Sequence, residues 1–323
     1  MKEKIHAIMD NPLARLFLIF LIALVSMSIL VPSTFLTVAN FRSMSVQLPE
    51  LGFLSIAAAM VLISGGIDLS VTGTAIFAGI TSALILKKCG GSEAALGIVI
   101  VAIACALAIG VLCGALNAIL VTKLQIAPML ATLGTMNLFT GLGIVLSEGS
   151  AIAGFPKTFQ KIGNGSVFGI PVPLILFVLA ISFMAFLLNR TKYGFNLYMY
   201  GTNPTASFYS RVNNTKVVFV TYILSGVISS IAGIIIVSRI NTAKADYGSS
   251  YGLQALLVAV LGGISPSGGS GKALGLLLSI VTLQVISSGF NLLHVNSFIK
   301  DLTWGALLVI IMLWNQKRNG KKE

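Results

Sequence analysis

The chain has 323 residues, of which 56% are hydrophobic and 9% charged, against about 25% charged in ordinary soluble domains. That excludes a soluble enzyme, a disordered regulator and a secreted disulfide scaffold. The apolar residues run in long unbroken blocks, not in the alternating ten-residue segments of a β-barrel. The net charge of +12 does not point to nucleic acid, because just over half of the cations cluster at residues 1–15, 189–216 and 315–323, beside apolar blocks. Such clusters mark cytoplasmic loops.

A membrane crossing takes about 20 apolar residues, within ~17–25. The first candidate, about 14–31, follows a basic start. The sequence Pro32-Ser33-Thr34-Phe35 after it is poor in small-residue cleavage chemistry, so it reads as a retained span with the N-terminus inside rather than a removed signal peptide. Leu51–Ser64 and Ile67–Leu86 come next, divided by Gly65-Gly66. Leu96–Thr122 and Ile126–Leu146 precede a polar connection at 147–169, and Ile170–Leu188 precedes the basic loop 189–216. Val217–Val237 follows. Tyr251–Leu261 and Ala273–Phe290 flank the Gly-rich stretch Gly262–Gly271, and Leu302–Trp314 is last.

The expected fold is an all-α integral membrane protein. It is a polytopic bundle of about ten transmembrane helices forming a single transmembrane domain over 1–323. Segments 51–64 and 251–261 are short for a full crossing. An even count puts both basic termini and loop 189–216 on the inner side. The outer loops also take Glu50, Glu93, Glu148, Asp246 and Asp301, and Lys87 and Lys88 in an outer loop run against that bias.

The chain reads as two related halves containing Gly-broken helices. Leu62-Ile63-Ser64-Gly65-Gly66-Ile67-Asp68-Leu69-Ser70 can be laid over Ala259-Val260-Leu261-Gly262-Gly263-Ile264-Ser265-Pro266-Ser267. Paired Gly-interrupted apolar segments point to a transport site. Asp68 is the one acid expected within the hydrocarbon, where an isolated Asp costs ~2.5–3.5 kcal/mol on insertion scales. It is either a pathway or gate residue, or a cap that holds the helix break together through freed N–H groups.

Pro266–Ala273 superficially resembles a phosphate loop. It lacks the first glycine and the final hydroxyl that such a loop needs, so it reads as a helix break. Asn117, Asn137, Gln254, Gln284 and Asn291 suit interhelical hydrogen bonds or a wet path for a neutral polar solute. Gly110 and Gly114 fit close helix packing. Cys89, Cys105 and Cys113 show neither metal nor disulfide spacing. The two histidines, His6 and His294, complete no catalytic motif. No catalytic residue, cofactor or metal site is expected.

Loop 189–216 mixes cations, aromatics and small residues. It is either a solvated connector or a surface helix from about Pro204 to Val212, with Asn203 as N-cap, presented to a partner.

Gly65-Gly66-Ile67-Asp68-Leu69-Ser70-Val71 resembles the first-half signature of permease subunits of ribose-type ATP-driven (ABC) importers. Thr191, Gly194, Tyr198, Gly201, Asn203 and Ala206 resemble their coupling loop. Val260-Leu261-Gly262-Gly263-Ile264-Ser265, with Gly268, Gly269, Gly271 and Gly275, resembles the second-half signature. The resemblance implies a permease domain paired with a second permease subunit, identical or not, in the bacterial inner membrane. It also implies cytosolic ATP-binding subunits and an extracytoplasmic solute-binding protein.

By the same resemblance, Gly194, Tyr198, Gly201, Asn203, Pro204 and Ala206 are candidates for docking the ATP-binding subunits. Gly65, Gly66, Asp68, Ser70, Asn117, Asn137, Gly262, Gly263 and Ser267 are candidates for the translocation path. Thr72, Thr202, Arg211-Val212, Ile264 and Pro266 depart from the family pattern and suggest a divergent branch, such as one half of a heterodimeric pore. The expected solute is a monosaccharide of ribose type. The alternatives are an ion-coupled secondary carrier, a non-transport scaffold or receptor and, within the family, an importer of a nucleoside or sugar-derived signal.

Overall fold

The computed structural model describes residues 12–319 without 249, with side chains to Leu313. The basic residues Lys2, Lys4, Lys321 and Lys322, and the expected placement of the termini they mark, lie outside the described residues.

The helices are α1 (Pro12–Leu30), α2 (Val38–Ile63), α3 (Val71–Lys88), α4 (Leu96–Thr122), α5 (Pro128–Leu146), α6 (Lys157–Asn164) and α7 (Val172–Arg190). They continue with α8 (Lys192–Thr202), α9 (Pro204–Tyr209), α10 (Asn214–Ile240), α11 (Tyr251–Leu261), α12 (Ala273–Leu292) and α13 (Ser297–Asn319). Among the described residues, eight helices are long and apolar enough to cross a membrane: α1–α5, α7, α10 and α12. The chain is an all-α polytopic membrane protein. Helix α11 has 11 residues, and α13 carries Lys300 and Asp301 in its first turns.

The expectation of a short second segment is corrected. Helix α2 runs 26 residues from Val38, through Pro49 and Glu50. Thr37 caps its start, its Oγ1 accepting from the Asn40 N–H at 3.3 Å. The polar residues Asn40, Arg42, Ser43, Gln47 and Glu50 mimic a loop in sequence. In the structure Arg42 and Ser43 lie on an exposed strip, while Asn40, Met44 and Leu48 face inward.

From Phe53 to Ile63, α2 is buried on every side, as expected of a helix apolar all round. It and α10 form the centre. Helix α10 packs on α2, α3 and α4, and α11 and α12 pack on α2. Backbone contact between α4 and α10 is close. A Cβ on Gly110 would lie 2.5 Å from Gly226 O, and one on Gly114 2.8 Å from Ile223 Cα. Outward faces are apolar, with Ile29, Leu112, Leu130, Val145 and Leu179 exposed, the surface a lipid environment needs.

The connection 147–169 is folded, not a plain loop. β1 (Ile152–Ala153) pairs antiparallel with β4 (Thr242–Ala243), and β2 (Ser166–Val167) pairs with β3 (Ile170–Pro171). Helix α6 is fastened to the end of α10 by Asn164 Nδ2 donating to Arg239 O at 2.9 Å.

Candidate translocation and coupling site

The two Gly-Gly stretches are helix ends rather than kinks within a helix. At the end of α2 the Gly65 N–H donates to Leu62 O at 2.9 Å and the Gly66 N–H to Val61 O at 3.2 Å, with Gly65 at φ +81°. At the end of α11 the Gly263 N–H donates to Val260 O and the Ile264 N–H to Ala259 O, both at 3.1 Å, with Gly263 at φ +84°. Both are Schellman closures, which require a left-handed residue just beyond the helix. Gly65 therefore matches Gly263, one residue out of step with the sequence overlay that set Gly65 on Gly262. Gly262 instead packs 2.9 Å from Leu276 Cα of α12, measured from an added Cβ.

Asp68 sits in the connection between α2 and α3, buried. Its Oδ1 accepts from the Ser70 N–H at 2.9 Å and the Ser70 hydroxyl at 2.6 Å, and its Oδ2 accepts from Ser225 Oγ of α10 at 2.8 Å. Burial pushes its carboxyl above the usual range, and these hydrogen bonds pull it back. Asn117 Nδ2 of α4 donates to Ser70 Oγ at 2.7 Å, and Thr135 Oγ1 of α5 donates to Asn117 Oδ1 at 2.7 Å. Thr132 Oγ1 donates to Ile67 O at 2.9 Å. One polar network thus ties the α2–α3 connection to α4, α5 and α10. Asp68 accepts one backbone N–H, that of Ser70, and makes no capping bond to the first turn of α3.

The other path candidates separate. Gly65, Gly263 and Ser267 are exposed at one end of the bundle. Asn137 is exposed on α5, away from the network, with its Nδ2 on Leu133 O at 3.3 Å. Gly66 is buried, and a Cβ there would lie 3.2 Å from Tyr222 Oη.

The basic loop folds as two helices. Helix α9 was legible: Asn203 Oδ1 accepts from the Thr205 and Ala206 N–H groups, both at 3.0 Å, and Pro204 opens the helix. Helix α8 was not, because Gly194, Asn196 and Gly201 depress helix propensity. Thr191 caps it, accepting from the Gly194 N–H at 3.2 Å. Gly194 is packed against the end of α7, where an added Cβ would lie 2.6 Å from Leu188 Cα. Tyr198 Oη donates to Gly271 O at 2.8 Å. Gly201 is buried, and a Cβ there would overlap Ile63 O and lie 2.5 Å from Gly269 N.

Of the six coupling candidates, Asn203, Pro204 and Ala206 are exposed, and Gly194, Tyr198 and Gly201 turn inward. Sequence reasoning missed the exposed pair Phe208 and Tyr209, 69% and 80% accessible. Their rings pack edge to face at 5.9 Å. Beside them opens a cavity of about 1130 Å3 lined by Arg190, Phe195, Asn196, Met199, Asn203 and Ala206, among others.

A second omission lies toward the other end. Glu50, expected in an outer loop, is buried in α2 and paired with Arg239 of α10. Arg239 Nη2 donates to Oε2 at 3.0 Å, and Tyr251 Oη donates to the same oxygen at 3.2 Å. The available signal was weak: Arg239 lies at the end of an apolar span, where a long cation ordinarily reaches the interface without a buried partner. Above the pair is a cavity of about 620 Å3 lined by Arg42, Ser43, Gln47, Asn164 and Arg239, among others. Among the described residues, no three His, Cys, Asp or Glu side chains gather as a metal site would require.

Comparison with known proteins places this architecture. Residues 40–312 match the family described as the permease component of branched-chain amino acid transport systems. The ribose import permease protein RbsC of Bacillus subtilis (strain 168) is 35% identical over 323 residues, covering 98% of this chain and 97% of the relative. The autoinducer 2 import system permease protein LsrD of Photorhabdus temperata is 31% identical, covering 84% of this chain and 85% of the relative. LsrD of Yersinia pseudotuberculosis serotype O:1b (strain IP 31758) is 32% identical over the same shares. No solved structure matches the chain. Matched end to end by one such permease and over most of its length by others, the chain belongs to this permease family and is a multi-pass transport subunit of the ribose type of ABC importer.

Proposed function

We propose that this permease moves a small hydroxyl-rich solute, a monosaccharide of ribose type, across a bacterial inner membrane by alternating access. Cytosolic ATP-binding subunits dock on α9, an extracytoplasmic solute-binding protein delivers the solute, and a second permease subunit completes the path. The termini and the α8–α9 segment face the cytosol. The observation that carries the reading is the α8–α9 segment. It presents Asn203, Pro204, Ala206, Phe208 and Tyr209 outward while its inner side packs on the end of α2 and on Gly268 and Gly269 of the α11–α12 connection. An exposed aromatic pair beside a cavity suits a partner's docking surface.

The cavity above Glu50 and Arg239 places amide, hydroxyl and guanidinium donors from Gln47, Asn164, Ser43, Arg42 and Arg239 beside the apolar side chains of Val38 and Val46, a mixture that suits a small hydroxyl-bearing solute. The name of the RbsC relative favours ribose, the LsrD names favour a sugar-derived signal molecule, and the family description names branched-chain amino acids.

The test is uptake into proteoliposomes holding the permease with its co-purified subunits, with ribose, autoinducer 2 and leucine offered in turn. ATP-dependent uptake of ribose is expected. Uptake that ignores ATP and collapses with the ion gradient would replace this reading with an ion-coupled carrier.

A further inference from the structure

The C-terminal ends of α2 and α8 and the α11–α12 connection meet backbone to backbone. The Gly269 N–H donates to Ile63 O at 2.9 Å, so the connection after α11 is hydrogen-bonded directly to the last turn of α2. Gly201 of α8 lies over that bond, where any Cβ would collide with both of its atoms. A Cβ on Gly268 would lie 2.7 Å from both Gly201 O and Gly65 N, and one on Gly269 would lie 2.8 Å from Thr202 Cα. One turn earlier in α8, the Tyr198 hydroxyl holds Gly271 O at 2.8 Å.

Side chains normally separate packed elements, and a small displacement is absorbed by rotamer changes. Here no side chain intervenes. Close-packed backbone transmits strain rather than absorbing it. Gly65, Gly268 and Gly269, at φ +81°, +83° and +73°, occupy conformations that only glycine adopts at little cost.

We propose that α8 is the moving part of the coupling segment. Gly201 and Tyr198 are the positioning residues through which one displacement reaches both connections at once. These are the α2–α3 connection with its Asp68 network and the α11–α12 connection. Helix α9 supplies the grip for the partner, and α8 delivers the movement. The proposal rests on the reading of 189–216 as the coupling segment, but its test needs no ATP-binding subunit.

The experiment is amide hydrogen exchange on the full chain in lipid nanodiscs. Tyr198→Phe removes one hydroxyl that bonds to Gly271 and not to the 64–70 connection. Exchange is expected to quicken about fivefold, the scale of one lost hydrogen bond, at 264–271 and also at 64–70. The second response is the diagnostic one, since a merely local role for Tyr198 would leave 64–70 unchanged. Gly201→Ala is expected to quicken both regions further. Should that variant fail to fold, Tyr198→Phe decides alone. Faster exchange confined to 264–271, or unchanged in both regions, overturns the proposal. Co-purification of ATP-binding subunits is scored separately. An unlinked exchange response would sink the shared node alone, whereas a linked response together with unaltered co-purification of ATP-binding subunits in Ala206→Arg and Phe208→Ala would sink only the coupling reading.

Discussion

Glu50 and Arg239, on the two central helices, form an ion pair whose carboxylate is 1% accessible. Tyr251 at the start of α11 completes it, so three helices share one charged contact. Removing one partner of a buried pair typically costs about 3–5 kcal/mol, because the other charge is left uncompensated. Glu50→Ala and Arg239→Ala are each expected to lower the melting temperature of the purified protein sharply. The double variant is expected to lose less than the sum. Strict additivity in a melting series would mean that the pair is not coupled.

The Asp68 network makes a prediction with a sign in pH. Burial favours the protonated form in the folded protein, so the folded state keeps this proton where the unfolded chain has lost it. Stability from this group is full below the ordinary Asp value of about 4. It declines as pH rises through the higher folded value. The melting temperature of the unaltered protein is expected to fall with rising pH across that interval more steeply than that of Asp68→Asn. Parallel curves would show that Asp68 does not titrate there.

Function at the same residue is expected to separate from folding. Asp68→Asn should lower ATP-driven uptake more than the yield of folded protein, because Asn keeps one acceptor oxygen where Asp68 uses two, one toward Ser70 and one toward Ser225. Ser225→Ala removes a hydrogen bond to a carboxylate, worth about 1.5–3 kcal/mol, and should act on stability first. If uptake and yield fall together in Asp68→Asn, Asp68 is a structural anchor and nothing more.

The coupling segment divides by accessibility. Ala206→Arg and Phe208→Ala are expected to leave the protein folded in the membrane and to weaken co-purification of the ATP-binding subunits. For Phe208→Ala the loss should be about thirtyfold or more if the ring is a binding hot spot. Gly201→Arg is expected to reduce folded yield instead, because Gly201 is buried against backbone. Normal association in both surface variants would remove the docking role from α9.

The α4–α10 contact leaves no room for a side chain. Gly114→Val is expected to destabilise by at least the ~1–3 kcal/mol typical of overpacking, seen as loss of monodisperse protein. Gly134→Val on α5, where an added Cβ meets nothing within 4 Å, should be tolerated.

Much of this was legible in the sequence. Helices α1, α4 and α5 lie within a few residues of their apolar runs, because continuous hydrophobicity marks a span directly. The start of α2 was hidden, because Asn40 to Glu50 follow a one-sided polar pattern and Pro49 imitates a break. Glu50 was misplaced for the same reason. The Gly-Gly overlay slipped because residue identity and backbone role differ. The left-handed position needs glycine at 65 and 263, whereas the cap before it is Ser64 in one copy and Gly262 in the other. The inward turn of Gly194 and Gly201 could not be read, since a packing glycine and a surface glycine look alike in sequence.

The brevity of α11 has a consequence for its surroundings. Its 11 residues rise about 16 Å, roughly half of the ~30 Å hydrocarbon core. Irregular backbone at membrane depth cannot face lipid and must be covered by protein or line a wet cavity. Whatever backbone completes a crossing with α11 therefore has to be shielded by the helices around it.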